Sequence, residues 1–433
     1  MLRRGGFMLA ALGACALAAL TAVPAHAAGF AIFEQGAKAQ GMAGAFTAQA
    51  DDPSMLFFNP GGLGLVGKSD FSLGLTEVHG TKADFHGAAP FPGPNASGQQ
   101  KLLEQPLPHA YWVLPITNTW KFGIGLNTPF GLTTEWKNPD QFPGRYLSTK
   151  AAIRDIDVNP TLGWQITPTM GLGIGVIARV TDLELKRDIP AADPFTQSIV
   201  NVGRVDLKAD TKTGYGWDIG FLDRYNNSFS WGVAYRSRVK VDYTGSATLT
   251  QLPTGNPQFD AIVAAQTPFN QKLPVKTSID FPDMANLGLA FGLSPDLLLE
   301  TDVYWMGWTS FKEVNITFPD GQLPNSTIPA NWKNAYSYRA GLRWTTSPTS
   351  QWRFGYVYDQ TPQPEEAVNP LLPDANRNGL TLGYGWTGAH KFDIALLYLD
   401  FAKRSRHKTF AGDATFSGTY DTKALLLGAT FTW

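Results

Sequence analysis

The sequence predicts an all-β chain, a 14-stranded antiparallel transmembrane β-barrel with a small N-terminal helical hatch plugging its lumen. Three observations predict it. Only 16% of the 433 residues are charged, while 12% are aromatic and 44 are glycine; a soluble surface needs roughly a quarter charged residues. Beyond the N-terminus no apolar run approaches the ~18 residues a spanning helix requires. Instead, apolar side chains recur with period two in segment after segment, joined by connections that alternate between short and long.

Residues 1–27 read as a cleaved secretory signal: Arg3 and Arg4, an apolar stretch from Phe7 to Val23, and Ala25-His26-Ala27 before a mature start at Ala28. A membrane anchor is the rival reading, and Leu12-Gly13-Ala14-Cys15 resembles a lipoprotein box. Against the latter, Ala16 to Leu20 continue the apolar core where a lipoprotein needs a polar tether. Cleavage removes two arginines and no acid, taking the formal charge from −1 to −3. With no basic stripe, nucleic acid is not a partner. Cys15 is the single cysteine, so the mature chain has neither a disulfide framework nor a thiolate metal site.

Residues 28–67 do not alternate and read as the hatch. A helix-like stretch runs from Glu34 to Thr47, and Asp52-Pro53 and Asn59-Pro60 each set a capping side chain before a proline. Gly61 and Gly62 then permit a tight turn. A periplasmic linker is the alternative, although Met55-Leu56-Phe57-Phe58 is more apolar than a linker needs to be.

Residues 68–433 form the barrel. Strands are expected near 70–79, 105–115, 119–128, 150–166, 170–186, 203–222, 228–245, 275–293, 296–317, 335–346, 351–359, 377–387, 391–402 and 416–433. In one of them Tyr336, Tyr338, Ala340, Leu342 and Trp344 alternate with Ser337, Arg339, Gly341 and Arg343. Short turns such as 115–119 and 167–170 lie between long loops at 80–104, 129–149, 187–202, 246–274, 318–334, 360–376 and 403–415. A large soluble sandwich also alternates, but its strands average about five or six residues, and its inner faces carry less Gly, Thr, Arg and Asp. Trp112, Trp120, Trp164 and Trp231 fall near strand ends, where interfacial girdles lie. Hydrocarbon offers no partner to an open sheet edge, so the sheet must close.

Several blocks then resemble one family, the FadL-type outer-membrane channels for long-chain fatty acids and toluene-type hydrocarbons. They are Ala28-Gly29-Phe30, Asn59-Pro60 (with Gly61 where the family typically has alanine), Pro129-Phe130-Gly131-Leu132-Thr133-Thr134, Gly144-Arg145-Tyr146, Trp308-Thr309-Ser310-Phe311-Lys312, Tyr356 to Pro362, and Leu372 to Arg377. The resemblance runs over essentially the whole mature chain. It implies a surface site between two long loops, matching 187–202 and 246–274, a deeper apolar pocket near the hatch N-terminus, and exit through a side opening at a kinked strand. Phe259, Ile262, Val263 and Phe269 in the second loop are expected to contact substrate. Ala28, Gly29, Phe30, Asn59 and Pro60 are expected to gate.

The expected function is passive, ligand-gated uptake of long-chain fatty acids or similar hydrophobic compounds, with aromatic hydrocarbon uptake as the alternative. Arg145, Arg179, Arg236, Arg339 and Arg343 are candidates to meet a carboxylate. The other reading of these arginines is a charge ladder with Asp155, Asp157 and Asp218 that fills the lumen. A general porin would lack the hatch. An outer-membrane enzyme would need a nucleophile and base together, whereas His79, His86, His109, His390 and His407 are scattered. No cofactor is expected. The other expected partners are outer-membrane lipids, lipopolysaccharide and the barrel-assembly machinery, which Phe431 and Trp433 would address, and the chain is expected to act as a monomer.

Overall fold

The computed structural model describes residues 29–407 and 415–433; the signal-peptide reading and Ala28 lie outside them. Fourteen antiparallel strands close on themselves. They are β1 (Asp70–Gly87), β2 (Leu103–Pro115), β3 (Trp120–Asn127, continued by Gly131–Glu135), β4 (Lys150–Gln165), β5 (Met170–Ala192), β6 (Ile199–Ala209, continued by Lys212–Asn226), β7 (Phe229–Arg236, continued by Val239–Gln251), β8 (Lys272–Phe281, continued by Met284–Ser294), β9 (Leu297–Met306), β10 (Ala335–Ser347), β11 (Ser350–Asp359), β12 (Arg377–Thr387), β13 (Lys391–Phe401) and β14 (Gly418–Thr432). The β1–β14 ladder, from Ser72 opposite Thr432 to Gly87 opposite Gly418, completes the ring.

The outward faces carry Leu73, Leu75, Ile174, Val176, Leu380, Leu382 and Leu427, all exposed. Trp112, Trp120, Trp164, Trp344, Trp352, Trp386 and Trp433 stand exposed toward the short-turn end. An apolar band rimmed by aromatics is what hydrocarbon and its interface select. Among the described residues no helix is long and apolar enough to cross a membrane.

The strands lie near the expected positions, though β1 continues to Gly87, β3 resumes over Gly131–Glu135 and β7 continues to Gln251, each into an expected loop. Three further departures change the layout. β5 runs to Ala192 and β6 starts at Ile199, so the loop expected over 187–202 shrinks to a short turn. This hairpin stands beyond the apolar band, where pairing no longer requires a greasy outer face. The expected strand 203–222 bends between Ala209 and Lys212. The strand expected over 296–317 stops at Met306, and the chain turns inward to set Trp308, 0% exposed, into the lumen.

The hatch fills the lumen with less helix than expected. Within Glu34–Thr47 only α1 (Ala37–Gly41) forms, followed by α2 (Met55–Phe58) and a 3₁₀ turn at Pro60–Leu65. The reason is that the barrel wall satisfies amides a helix would otherwise have paired. Asp302 accepts from the Phe46 and Thr47 amides at 3.0 and 2.9 Å, and Glu300 accepts from Ala48 N at 2.6 Å and the Gln49 side chain at 2.8 Å. The two prolines begin turns as expected. Asp52 accepts from Ser54 N at 2.8 Å, and the Asn59 side chain accepts from Gly61 N at 2.9 Å. Gly173 lets the hatch lie directly on the wall: a Cβ there would meet the Pro60 carbonyl oxygen at 2.0 Å.

Replacing Asp302 by alanine leaves two buried amides without an acceptor, at a cost of about 1–3 kcal/mol each. The expected outcome is an intact barrel with a loosened hatch. Heat-modifiable migration should stay unchanged while single-channel conductance and proteolysis within residues 42–50 rise.

Candidate functional site

The first hatch residues lie in an aromatic nest. Phe30 packs against Trp308, Trp332, Phe311, Phe130 and Phe281 with ring centroids 4.7, 5.7, 5.8, 5.9 and 6.1 Å away. Gly29 has φ +64°, and a Cβ there would come within 2.7 Å of Trp332. Ile32 N donates to Pro129 O at 2.8 Å and Gly131 N donates to Phe30 O at 3.0 Å. The hatch thus adds a short antiparallel bridge to β3 where that strand is interrupted.

That interruption opens the wall. β2 and β3 pair only from Ala110–Leu126 to Pro115–Lys121. Pairing resumes above at Gln100–Trp136, with Lys101 N donating to Glu135 O at 2.7 Å. Between these points residues 102–109 face 127–134 without a ladder. Pro106 and Pro108 stand on this edge and bring no N–H to leave unpaired.

A cavity of about 340 Å³ lies behind the gap. Its wall includes Phe30, Leu107, Phe130, Leu132, Ile153 and Leu372, and its polar lining includes Glu34, Asp374 and Arg377. Phe30, Leu132, Ile153 and Leu372 also border a narrower space of about 50 Å³, lined further by Leu183, Leu185, Phe311 and Trp332. Apolar cavities with a few polar groups are the usual form of small-molecule sites. Next along the inward face of β5 after Leu183 and Leu185 comes Arg187, which is exposed and makes no ion pair or side-chain hydrogen bond among the described residues.

The expected site residues are dispersed. Gly29 and Phe30 border the larger cavity, whereas Asn59 and Pro60 lie elsewhere, with the Asn59 amide donating to Thr47 O at 2.8 Å and to Phe221 O at 3.0 Å. Arg179 is buried, 2.8 Å from Asp157 and 3.2 Å from Asp155, with its guanidinium 4.5 Å from the Phe130 ring centre. Arg236 joins this ladder through Asp157 at 3.3 Å and Asp218 at 3.1 Å. Arg339 donates to the hatch carbonyl of Ala43 at 2.8 Å and pairs with Asp359 at 3.2 Å. Arg343 reaches Gln49 and Asp51 at 2.7 and 3.1 Å. Arg145 donates to Phe142 O and stacks on Tyr146, without a carboxylate partner among the described residues.

In the loop expected over 246–274, helix α3 (Pro257–Gln266) buries Phe259 and Val263 against Val202, Phe269 packs beside them, and Ile262 is 42% exposed. None of these four lines the cavity. Sequence reasoning did not single out Glu34, Asp374 or Arg187 as site residues, although Asp374 lies within the family block Leu372 to Arg377. The prolines of Gln105-Pro106-Leu107-Pro108, inside an expected strand, were the available signal for the gap.

The loop carboxyl of Asp374 is pushed up to about 6 by burial, against the pull of Arg377 and Arg404. A raised carboxyl stabilises the fold below its unfolded pKa, and that contribution is lost as pH rises through the folded value. Protection of residues 360–376 from protease should therefore weaken from pH 4 to pH 8. Asp374→Asn should flatten that dependence.

Residues 18–433 match the family model described as "Outer membrane protein transport protein (OMPP1/FadL/TodX)". A long-chain fatty acid transport protein of Escherichia coli O6:H1 is 22% identical, with 96% of each chain covered. Outer membrane protein P1 of Haemophilus influenzae is 23% identical over 88% of this chain and 87% of that one. Among solved structures, a Pseudomonas aeruginosa FadL homologue superposes with a TM-score of 0.81 at 19% identity, covering 94% of this chain and 99% of its own. The Pseudomonas putida toluene transporter TodX gives 0.70 at 17%, covering 92% and 97%. At these identities the structural likeness speaks for the fold alone.

Proposed function

Because the chain belongs to the OMPP1/FadL/TodX family of outer membrane transport proteins, we propose that it carries long-chain fatty acids or similar lipophiles inward by passive, ligand-gated diffusion. It is an outer-membrane channel for hydrophobic compounds, of a family made of transporters rather than enzymes. The observation that carries the route is the apolar cavity at Phe30, open where β2 and β3 part.

The ligand first meets the loops. Arg187, an unpaired cation above the leucines of β5, attracts the carboxylate, and the chain enters between Phe311, Trp332 and Leu372. Each buried methylene contributes about 0.8 kcal/mol, so a long tail binds without many polar contacts. Arrival beside Phe30 strains the backbone hydrogen bonds by which Phe30 and Ile32 join the hatch to β3, while Gln35 holds Thr128 beside them. Their release widens the gap, and the ligand leaves sideways between residues 102–109 and 127–134. Asn59-Pro60 holds the hatch floor while this end moves.

The finer partnerships follow from the outer surface. The ion-pair ladder of Lys150, Glu184, Lys186 and Asp206 faces the head groups of lipopolysaccharide. Phe431 and Trp433, packed at 4.5 Å, present the terminal signal to the assembly machinery, and a single chain completes the route.

Uptake of labelled oleate and labelled toluene by a strain lacking its own channel tests the proposal. Oleate should enter faster with this gene, and toluene alone would move the assignment to hydrocarbons. Leu107→Trp, which fills the cavity, should cut uptake about tenfold in a barrel that still shows heat-modifiable migration. Arg187→Gln should lower oleate entry several-fold and leave toluene entry unchanged; equal loss of both would remove the head-group role.

A further inference from the structure

We propose that the cavity beside Phe30 accepts its ligand in a neutral form (an alcohol, ester, hydrocarbon or protonated fatty acid) and rejects the ionised carboxylate. This rests on the transport route proposed above and specifies the chemical state of what passes along it.

The charges around the cavity carry the argument. Five ionisable side chains line it: Glu34, Arg154, Asp155, Asp374 and Arg377. Both cations are already held. Arg377 bonds Asp359 at 2.9 Å, and Arg154 bonds Asp182 at 2.8 Å on the outer face. Asp155 is held by Arg179 at 3.2 Å. Glu34 and Asp374 remain, and neither has an ion pair among the described residues. Glu34 accepts from its neighbour's amide, Phe33 N, at 3.1 Å, and Asp374 accepts from the Thr361 hydroxyl.

An incoming carboxylate would find no free cation here and two acids in its way. Leaving a charge unpaired in an apolar site is strongly unfavourable. Neutral head groups meet the opposite situation. Burial pushes the Glu34 carboxyl up, against attraction from Arg339 and Arg377 and with repulsion from Asp359. Burial likewise raises Asp374 to about 6, opposed by Arg377 and Arg404. Protonated, both acids donate a hydrogen bond to a carbonyl or hydroxyl oxygen; ionised, each accepts one from a hydroxyl, so an alcohol is held in either state. A fatty acid held as carboxylate near Arg187 would take a proton from solvent hydronium before moving in: one O–H bond forms on the carboxyl as one O–H bond of hydronium breaks, leaving water.

The test is binding of dodecanol and of dodecanoate to the purified full chain at pH 5 and pH 8, with Leu107→Trp as the blocked-cavity control. Dodecanol should bind equally at both pH values, and dodecanoate about tenfold or more weakly at pH 8 than at pH 5. Glu34→Gln with Asp374→Asn should narrow the pH 8 difference between the two ligands. The wild-type comparison stands even if that variant does not fold. Dodecanoate binding as tightly as dodecanol at pH 8 would overturn the neutral-ligand inference and leave the transport reading standing. Binding that survives Leu107→Trp would place the ligand elsewhere and also overturn it. Binding of neither ligand at either pH would sink both.

Discussion

A backbone surrounded by hydrocarbon has no water to hydrogen-bond with, so every break in the barrel ladder must be repaired by protein or left where something else covers it. The rest of this structure follows from how the break in β3 is handled. The strand is interrupted at Thr128, Pro129 and Phe130, and the edge of β2 opposite is left unpaired there. The repair comes from inside: the hatch lends its residues 30–32 as a short bridging strand. Two backbone hydrogen bonds and the Gln35 side chain, which bonds Thr128 O and N at 2.8 and 2.9 Å, therefore join the plug, the cavity and the gap in the wall.

The remainder of the hatch is held by stronger and more numerous contacts. Carboxylates of β9 accept from consecutive amides at 46–49, and arginines of β10 donate to hatch oxygens. The bonds from the two arginines are charge-assisted, a kind roughly twice as strong as neutral ones. The contrast divides the plug into a floor held partly by charged groups and an end held to the wall by neutral bonds, and that end borders the cavity.

Charge is arranged along the path with the same economy. Within the wall, arginines and aspartates neutralise one another over aromatic rings, as with Arg179 between Asp155, Asp157 and Phe130. Along the proposed route the groups without an ion pair among the described residues are the cation Arg187 toward the mouth and the acids Glu34 and Asp374 in the cavity. On that proposal an amphiphile meets attraction outside and apolar, weakly acidic surroundings within.

Much of this was legible in the residues themselves. Period two determines which side chains face lipid, because successive positions in a strand point to opposite faces, and that alone located the strands and their short turns. Asn59-Pro60 revealed a cap because capping is local, acting two residues away on Gly61 N. The helix expected over Glu34–Thr47 stops early, and Asp302, some 250 positions distant in the chain, supplies the acceptor for the Phe46 and Thr47 amides at its end. Phe259 and Val263 read as a surface site until Val202 covered them. Arg179 and Arg187 carry the same charge, and only the fold surrounds one with carboxylates and leaves the other bare. The sequence by itself determined the barrel, its lipid-facing positions and its destination, since these follow from periodicity and local chemistry. The cavity, the gap and the state of each charge were decided by tertiary structure, because they depend on which distant side chains meet.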